Sequence, residues 1–369
     1  MKKLLFLIHD LAGGGAEKAL VNLVNRMDRE KWNITVMVLF GGGVNEALLA
    51  PDIRLIRCHK KAIPGNSHMM KLFSPRFLFR RYITEHYDAV ISFLEGPCAR
   101  IVSGCDDPGT KTVAWIHGTL ADKKGFSLGF RHFAEALAGY RRFDRRIFVS
   151  EDTMKAFARF CPEDGQVLYN VIDTECVLSL GQEAPQEGWF GKPGYYLCGM
   201  GKLTANKGFD RLLRIHCRLR QEGFALFTCL LGEGEQRQQL EAFMAQHHLQ
   251  DSVCLPGYQT NPYSYIQNSH LFVCASHSEG FSTAATEALL LGTPVCTTQV
   301  SGARELLGDN AFGVITENSE EALYQAIRSL LENPALLTHY EKQAAVRAKT
   351  LCADAAVGAV DQMLEELFL

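Results

Sequence analysis

The sequence predicts an α/β protein built from two doubly wound, parallel-sheet (Rossmann-like) lobes that face each other across a cleft. Three observations favour this class. Short, continuous apolar runs alternate with helix-length amphipathic segments along most of the chain. The alternation begins again after a segment rich in Gly, Pro and Glu at residues 180–194. The chain has 369 residues, 47% of them hydrophobic, which is enough for two domains with buried cores.

The continuous apolar runs are expected to be parallel strands, because strands covered by helices on both faces need apolar side chains on both. The runs assigned to strands are 3–8, 33–40, 89–93, 112–116, 146–149, 195–199, 226–231, 270–275 and 294–298. The segment 208–222 is predicted to be a helix, since its leucines, such as Leu212 and Leu219, share one face.

The restart of the pattern divides the chain into domains. We expect an N-terminal domain over 1–180, a C-terminal domain over 181–350 and a helical tail over 351–369, with packing of the tail on the N-terminal domain as one option. Ligands of such sheets bind at the carboxyl ends of the strands.

Composition excludes several classes of protein. The net charge of −3 gives no argument for nucleic-acid binding. The twelve cysteines form no C-x-x-C and no zinc-type cluster, so we expect no metal site and a reducing, cytoplasmic location. No apolar stretch approaches the roughly 18 residues that a membrane span needs.

A glycine-rich turn follows the first predicted strand. Gly14 and Gly15 would let the backbone approach a ligand, and the helix that they open would offer free N–H groups to an anion. Lys18 stands where a dinucleotide fingerprint needs a third glycine. An anion-binding turn and an ordinary tight turn remain equally open.

Two lysines lie on the loop after the strand at 195–199. Lys202 and Lys207 occupy the edge where an α/β sheet binds ligands, and they would suit a diphosphate as mobile point charges. Two solvated surface lysines are the alternative.

A pair of carboxylates flanks the start of a predicted helix after the strand at 270–275. Glu279 would hold sugar hydroxyls and Glu287 a ribose diol, because a carboxylate accepts hydrogen bonds from two adjacent hydroxyls. The N–H groups of Gly280, Phe281 and Ser282 would meet phosphate at the helix N-terminus. The alternative is a helix-stabilising acid and an ordinary glutamate, although Glu287 stands among small apolar residues.

His117 ends the predicted strand over 112–116. A histidine at this place either has a structural role or orients a reacting sugar.

Taken together, these motifs resemble the retaining glycosyltransferases of family 4, which have the two-lobed GT-B fold. The matching segments are Gly14-Gly15-Ala16-Glu17, His117, Tyr169-Asn170-Val171-Ile172-Asp173, Gly201-Lys202-Leu203 to Lys207-Gly208, Leu231-Gly232-Glu233-Gly234 with Arg237, Glu279-Gly280-Phe281 with Glu287, Gly292-Thr293-Pro294-Val295 and Ser301-Gly302-Ala303-Arg304-Glu305-Leu306. They occur in order along nearly the whole chain.

The resemblance implies a nucleotide-sugar donor in the C-terminal domain and no further cofactor. Lys202 and Lys207 would neutralise its diphosphate, and Lys202 stands where the family usually has Arg. The absence of D-x-D fits transfer without a metal. A uridine diphosphate sugar is favoured, followed by guanosine diphosphate mannose. Gly14, Gly15 and His117 would line the reaction centre on the acceptor side.

The acceptor is expected to be a glycan or a lipid-linked saccharide of bacterial capsule, exopolysaccharide or lipopolysaccharide. Residues 57–84 combine basic with aromatic side chains and hold no acid before Glu85. This segment suits either peripheral contact with the inner face of the cell membrane or a lobe-packing helix with a solvated basic face.

Two alternatives to transfer stay open at this point. One is a GT-B sugar-nucleotide epimerase, which needs no acceptor; the other is a non-catalytic nucleotide-sugar-binding subunit. A nicotinamide dehydrogenase is disfavoured by Lys18 and Thr204, which replace required glycines. We also expect Lys207 and Glu287 to line a solvent-accessible cleft.

Overall fold

The computed structural model describes residues 1–61, 69–185 and 189–369. The chain divides into two compact units. The first is Met1–Ile172 together with Ala353–Leu369, and the second is Asp173–Cys352. Part of the predicted linker, 186–188, lies outside the described residues.

The first unit contains a seven-stranded sheet in the order β3-β2-β1-β4-β5-β6-β7, and all of its recorded pairings are parallel. Its strands are β1 (Lys2–Ile8), β2 (Trp32–Phe40), β3 (Arg54–His59), β4 (Ala89–Ser92), β5 (Lys111–Ile116), β6 (Arg145–Phe148) and β7 (Gln166–Val167). Its helices are α1 (Gly15–Arg26), α2 (Pro75–Tyr82), α3 (Pro97–Val102), α4 (Lys123–Phe126), α5 (Phe133–Arg141), α6 (Glu151–Ala158) and, at the end of the chain, α15 (Ala353–Leu367).

The second unit contains a six-stranded sheet in the order β10-β9-β8-β11-β12-β13, again with parallel pairings. Its strands are β8 (Tyr195–Met200), β9 (Leu226–Leu231), β10 (Val253–Gly257), β11 (Leu271–Cys274), β12 (Val295–Thr298) and β13 (Val314–Thr316). Its helices are α7 (Thr174–Gly181), α8 (Phe209–Gln221), α9 (Arg237–Gln246), α10 (Tyr263–Gln267), α11 (Thr283–Leu290), α12 (Ala303–Leu307), α13 (Glu320–Glu332) and α14 (Pro334–Ala348).

Burial explains why the central strands are continuously apolar. Every residue of β1 from Leu4 to Ile8 is inaccessible to solvent, as expected for a strand with helices on both faces. In the second unit, α8 turns Leu212, Leu213 and Leu219 into the core, which confirms the predicted helix face. The predicted fold class, two Rossmann-like parallel sheets, is confirmed.

Each sheet has one point at which the strand order changes direction. In the first sheet this point lies between β1 and β4, and in the second it lies between β8 and β11. The loops that leave adjacent strands there separate to opposite faces, which opens a crevice at the carboxyl ends of the strands. The fold therefore defines one expected ligand-binding edge in each unit.

The last helix belongs to the first unit. The indole Nε1 of Trp32 donates to Asp361 over 2.8 Å, and Lys31 pairs with Glu365 at 2.7 Å. The expected boundary of the first domain is residue 180, whereas the chain leaves the first unit after Ile172. The reason is that α7 packs against α10 and α11 of the second unit.

Among residues 1–61, 69–185 and 189–369, none of the helices is both long and apolar enough to cross a bilayer.

Candidate functional site

The main candidate site lies at the binding edge of the second unit. Lys202 and Lys207 are on the loop after β8, and Glu279 is on the loop after β11, so both loops leave the strands at which the order of the sheet reverses. This is the edge at which open α/β sheets bind their ligands.

Hydrogen bonds to main-chain carbonyls hold the two loops together. The amide of His277 donates to the carbonyl of Asn206 over 2.7 Å, and Nδ2 of Asn206 donates to the carbonyl of Ser278 over 2.7 Å. Gly208 has φ +64°, and a Cβ there would lie 2.0 Å from the carbonyl oxygen of Ala275. Only glycine fits this close approach of the two backbones.

An ion pair joins the loops through their side chains. The Nζ atom of Lys207 lies 2.6 Å from Oε1 of Glu279, and the hydroxyl of Ser276 donates to the same oxygen over 2.6 Å. The Lys207 side chain is 26% exposed and that of Glu279 is 11% exposed. Burial alone would lower the pKa of Lys207, but the charge of Glu279 and its hydrogen bond outweigh burial and raise that pKa. Lys207 is therefore a fixed, protonated cation.

Lys202 is exposed and lies on the same loop. The aliphatic part of Lys207 runs beside Gly201, where a Cβ would stand 3.3 Å from Cε of Lys207. The loop thus presents two ammonium groups of different character, one exposed and one paired with a carboxylate.

Helix α11 begins directly after Glu279. Ser282 is its N-cap, and the Ser282 hydroxyl accepts the amide of Ala285 over 3.2 Å. Gly280 is buried, and Phe281 is half-buried. The partial positive charge of the helix N-terminus therefore lies close to Glu279 along the chain, at the same edge as the two lysines.

Glu287 lies within α11 and differs from the expectation in its burial. It is only 4% exposed, so the prediction of a solvent-accessible Glu287 is wrong, whereas Lys207 remains partly accessible. The physical reason is that α10 packs on α11, and Tyr263 of α10 donates its hydroxyl to Oε1 of Glu287 over 2.8 Å.

Sequence reasoning missed Arg211, which supports the loop that carries Glu279. Its Nε donates to the carbonyl of Ala275 and its Nη2 to that of Ser276, each over 2.7 Å. The side chain is 3% exposed, and burial lowers its pKa. The signal available in the sequence was a charged residue next to the leucines that α8 buries. The sequence offers no comparable signal for the roles of Ser276 and Tyr263.

The candidates of the first unit lie at its own binding edge. Gly14 is the N-cap of α1, Gly15 is the first residue of that helix, and His117 follows β5. The amide of His117 donates to Oε2 of Glu95 over 2.9 Å, and Glu95 follows β4, beside the point where the strand order reverses. Sequence reasoning did not single out Glu95.

The imidazole of His117 packs on an aromatic neighbour. Its ring centroid is 4.7 Å from that of Phe93. Burial lowers the pKa of His117 to about 3, so the ring is neutral at pH 7. Its Nε2 is buried and has no hydrogen-bond partner within the described residues.

Within the described ranges, no three His, Cys, Asp or Glu side chains are grouped so that they could hold a metal ion. All twelve cysteines are free thiols.

Solved structures with the same architecture identify the fold. The chain matches Anabaena Alr3699/HepE in complex with UDP and glucose with a TM-score of 0.80 and 18% identity, covering 99% of this chain and 100% of that chain. It matches WaaG, a glycosyltransferase involved in lipopolysaccharide biosynthesis, with a TM-score of 0.75 and 17% identity over 98% and 99% of the two chains. The fold is the GT-B fold of glycosyltransferases.

Family models and relatives extend this likeness to the sequence. The model described as Glycosyltransferase Family 4 matches residues 13–176, and the model described as Glycosyl transferases group 1 matches residues 182–347. The chain is 28% identical over 368 residues to the N-acetylgalactosamine-N,N'-diacetylbacillosaminyl-diphospho-undecaprenol 4-alpha-N-acetylgalactosaminyltransferase of Campylobacter jejuni, covering 95% of each. It is 26% identical over 142 residues to the capsular polysaccharide biosynthesis glycosyltransferase CapM of Staphylococcus aureus, 37% of each chain. Both halves of the chain match glycosyltransferase family models, so the resemblance to the family 4 glycosyltransferases is confirmed.

Proposed function

We propose that this glycosyltransferase moves a hexosyl or N-acetylhexosaminyl group, with retention of anomeric configuration, from a nucleotide-sugar to a lipid-linked or polysaccharide acceptor of a bacterial surface glycan. UDP-sugars are the favoured donors. The observation that carries the proposal is the Lys207–Glu279 pair, 2.6 Å apart, at the binding edge of the second unit and beside the N-terminus of α11.

The chemistry follows from the charges at this edge. When the bond between the anomeric carbon and the diphosphate oxygen breaks, negative charge develops on the nucleoside diphosphate. Lys202, Lys207 and the positive end of α11 would stabilise that charge without a metal ion. The acceptor hydroxyl would attack from the leaving-group face, and its proton would pass to the diphosphate oxygen.

The remaining candidates would bind hydroxyl groups. Glu279 would hold the transferred sugar, and Glu287 the ribose. His117, neutral because burial lowers its pKa to about 3, would act as a hydrogen-bonding group that orients a sugar in the first unit, with Gly14 and Gly15 beside it. A neutral imidazole is suited to positioning rather than to stabilising negative charge.

The relatives support the substrate classes. The name of the Campylobacter protein includes a diphospho-undecaprenol-linked saccharide, and CapM is named for capsular polysaccharide biosynthesis. HepE is described in complex with UDP and glucose. By analogy, we infer a polyprenyl-diphosphate-linked saccharide as the first acceptor to try, and UDP-sugars as the first donors.

A donor screen followed by a transfer assay tests the proposal. Thermal shift with UDP-, GDP- and other nucleotide-sugars should reveal a donor that raises the melting temperature. Transfer should release nucleoside diphosphate only when acceptor is present, and NMR of the product should show the anomeric configuration of the donor. Lys207→Ala should reduce transfer at least a hundredfold, whereas Lys342→Ala, at an exposed lysine of the same unit, should not.

Two results would contradict this assignment. Full transfer by a folded Lys207→Ala protein would show that the ammonium group does not stabilise the leaving group. Conversion of the donor alone into an epimerised nucleotide-sugar would show that the reaction needs no acceptor.

We further propose that the first unit contacts the membrane through an apolar surface around α2. The side chains of Met69, Leu72, Phe73 and Phe77 are exposed, Leu72 by 75%. The rings of Phe73 and Phe77 stack with centroids 5.0 Å apart. Residues 62–68 of the segment 57–84 lie outside the described residues.

The basic side chains of this segment are only partly available to lipid. Arg76 and Arg80 both pair with Asp106, and Arg57 pairs with Glu46 at 2.7 Å. Apolar insertion would therefore contribute more to binding than charge does. Co-sedimentation with liposomes tests this: Phe77→Ser should reduce binding and Leu178→Ser, an exposed leucine of the second unit, should not. Equal binding by both variants would exclude the α2 surface.

A further inference from the structure

A buried hydrogen bond links α10 to the carboxylate of α11. The hydroxyl of Tyr263 donates to Oε1 of Glu287 over 2.8 Å. Tyr263 is 1% exposed and Glu287 is 4% exposed. The pair is therefore shielded from water, and the phenol is a fixed neighbour of the carboxylate rather than a surface group that meets it by chance.

Tyr263 is itself held in place from two sides. Oδ1 of Asn261 accepts the Tyr263 amide over 3.1 Å, and Nδ2 of Asn261 donates to the carbonyl of Leu180 in α7 over 2.9 Å. On the other side, the hydroxyl of Thr293 donates to the carbonyl of Ile266 over 3.0 Å. Helix α10 is thus anchored to α7 and to the segment after α11, so its phenol has a defined position.

This arrangement is a costly way to fill a core. An ionised carboxylate loses hydration when it is buried, and a buried polar pair is often no more stable than apolar side chains of the same volume. Phenylalanine would fill the space of Tyr263 without a polar atom. The phenol hydroxyl fixes the direction of the Glu287 carboxylate, which apolar packing would not do, because it holds one carboxylate oxygen at a defined point.

We propose that Tyr263 is a positioning residue that sets the carboxylate of Glu287 for the ribose hydroxyls of the nucleotide. This inference rests on the proposed function, in which Glu287 holds the ribose. Tyr263 acts through Glu287 and touches neither the sugar nor the diphosphate. It therefore contributes equally to binding of the donor and of its transition state, and its loss affects binding more than turnover.

Tyr263→Phe is the test, with Tyr265→Phe as the matched control. Tyr265 lies on the same helix and is also buried, but its hydroxyl has no recorded bond to Glu287 in the described part of the chain. Titration calorimetry with UDP should give a Kd about tenfold higher for Tyr263→Phe, because a carboxylate that is no longer held would lose about one well-aligned hydrogen bond to the ribose. The donor KM should rise with it, kcat should stay within about twofold, and Tyr265→Phe should match the wild type.

A ligand lacking one hydroxyl makes the test specific for the ribose. Wild-type protein should bind 2′-deoxyuridine diphosphate more weakly than UDP, and in Tyr263→Phe that difference should shrink, because the carboxylate no longer points at the missing group. A purely structural role of Tyr263 would lower the melting temperature and leave the two affinities in their wild-type ratio. GDP and its 2′-deoxy form replace the uridine ligands if GDP gives the larger thermal shift.

Glu287→Gln separates the two proposals. If Glu287→Gln leaves nucleotide affinity unchanged, the ribose role of Glu287 is wrong and the role of Tyr263 is overturned with it. If Glu287→Gln weakens binding but Tyr263→Phe binds UDP as wild type does, the proposed function stands and only the positioning role is overturned.

Discussion

Replacing Glu279 by glutamine should strengthen nucleotide binding while it slows transfer. Lys207 and Glu279 are paired, 2.6 Å apart, so an incoming diphosphate has to share Lys207 with a carboxylate of its own sign of charge. Glutamine keeps the size and the hydrogen-bonding oxygen of the side chain but removes that charge. The ammonium group is then available to the diphosphate at no electrostatic cost.

The size of the effect can be estimated from the pair. At 2.6 Å and an effective dielectric constant of about 20, the Coulomb attraction is about 6 kcal/mol before the cost of desolvation. The side chains are 26% and 11% exposed. The cost of breaking the pair therefore lies between under about 1 kcal/mol, typical of an exposed ion pair, and about 3–5 kcal/mol, typical of removing one partner of a buried pair. A net value of about 1.5 kcal/mol gives a UDP Kd about tenfold lower in Glu279→Gln.

Calorimetric titration of UDP into wild type, Glu279→Gln and Glu332→Gln measures this. Glu332 is likewise paired with a basic residue, at 2.9 Å from Arg328, but it is 49% exposed and lies on α13, so its variant should bind as wild type does. The kcat of Glu279→Gln should fall by about a hundredfold if the carboxylate holds the transferred sugar. Weaker or unchanged UDP binding by a folded Glu279→Gln protein would refute the competition between carboxylate and diphosphate.

Three further predictions concern stability. Burial lowers the pKa of both His117 and His216 to about 3, below the unfolded value of 6.5. Between these two pH values the unfolded chain binds more protons than the folded chain. The free energy of unfolding should therefore fall as the pH drops from about 6.5 towards 3, by up to about 1.4 kcal/mol per pH unit for each ring. Urea unfolding at pH 7.5 and 5.5 checks this, and His216→Gln should flatten the dependence while the exposed His339→Gln should not. Arg211→Met should lower the free energy of unfolding by about 2–4 kcal/mol, because two buried carbonyls lose their donor, whereas Arg214→Met, at an exposed arginine, should lower it by under about 1 kcal/mol. Equal urea midpoints for the two variants would contradict the role of Arg211 in supporting the loop. Gly208→Ala should lower the melting temperature clearly more than Gly223→Ala. Both glycines have positive φ, but only a Cβ at Gly208 would meet backbone atoms. Equal shifts in melting temperature would show that the loops after β8 and β11 can separate.

The sequence predicted the centre of each sheet and missed its edges. The strands that were not predicted are β3, β7, β10 and β13, and each is the outermost strand of its sheet. Edge strands are covered on fewer sides, so they need no continuous apolar run: β3 reads RLIRCH and is largely exposed, β10 contains a proline, and β7 has only two residues. Periodicity detects burial, and these strands are detected poorly because they are not fully buried.

The candidate site shows a similar division. Lys202, Lys207, Glu279 and Glu287 could be chosen from the sequence because charged residues next to glycines and strand ends are conspicuous there. The contacts of these residues could not be predicted from the sequence, since the Lys207–Glu279 pair joins residues 72 positions apart. The burial of Glu287 depends on Tyr263, whose proximity follows from the packing of α10 on α11. Long-range packing decides which charged group is exposed and which is buried.

The position of α15 has a consequence for biosynthesis. Trp32 donates its indole N–H to Asp361, a residue that the ribosome adds 329 positions later. At about 5–20 residues per second, the first unit waits roughly 15–65 s for the helix that completes it. During that interval the surface that will receive Val360, Met363 and Leu364 stays uncovered in the nascent chain. The second unit, whose residues are contiguous in the chain, can complete its fold first even though it is translated later.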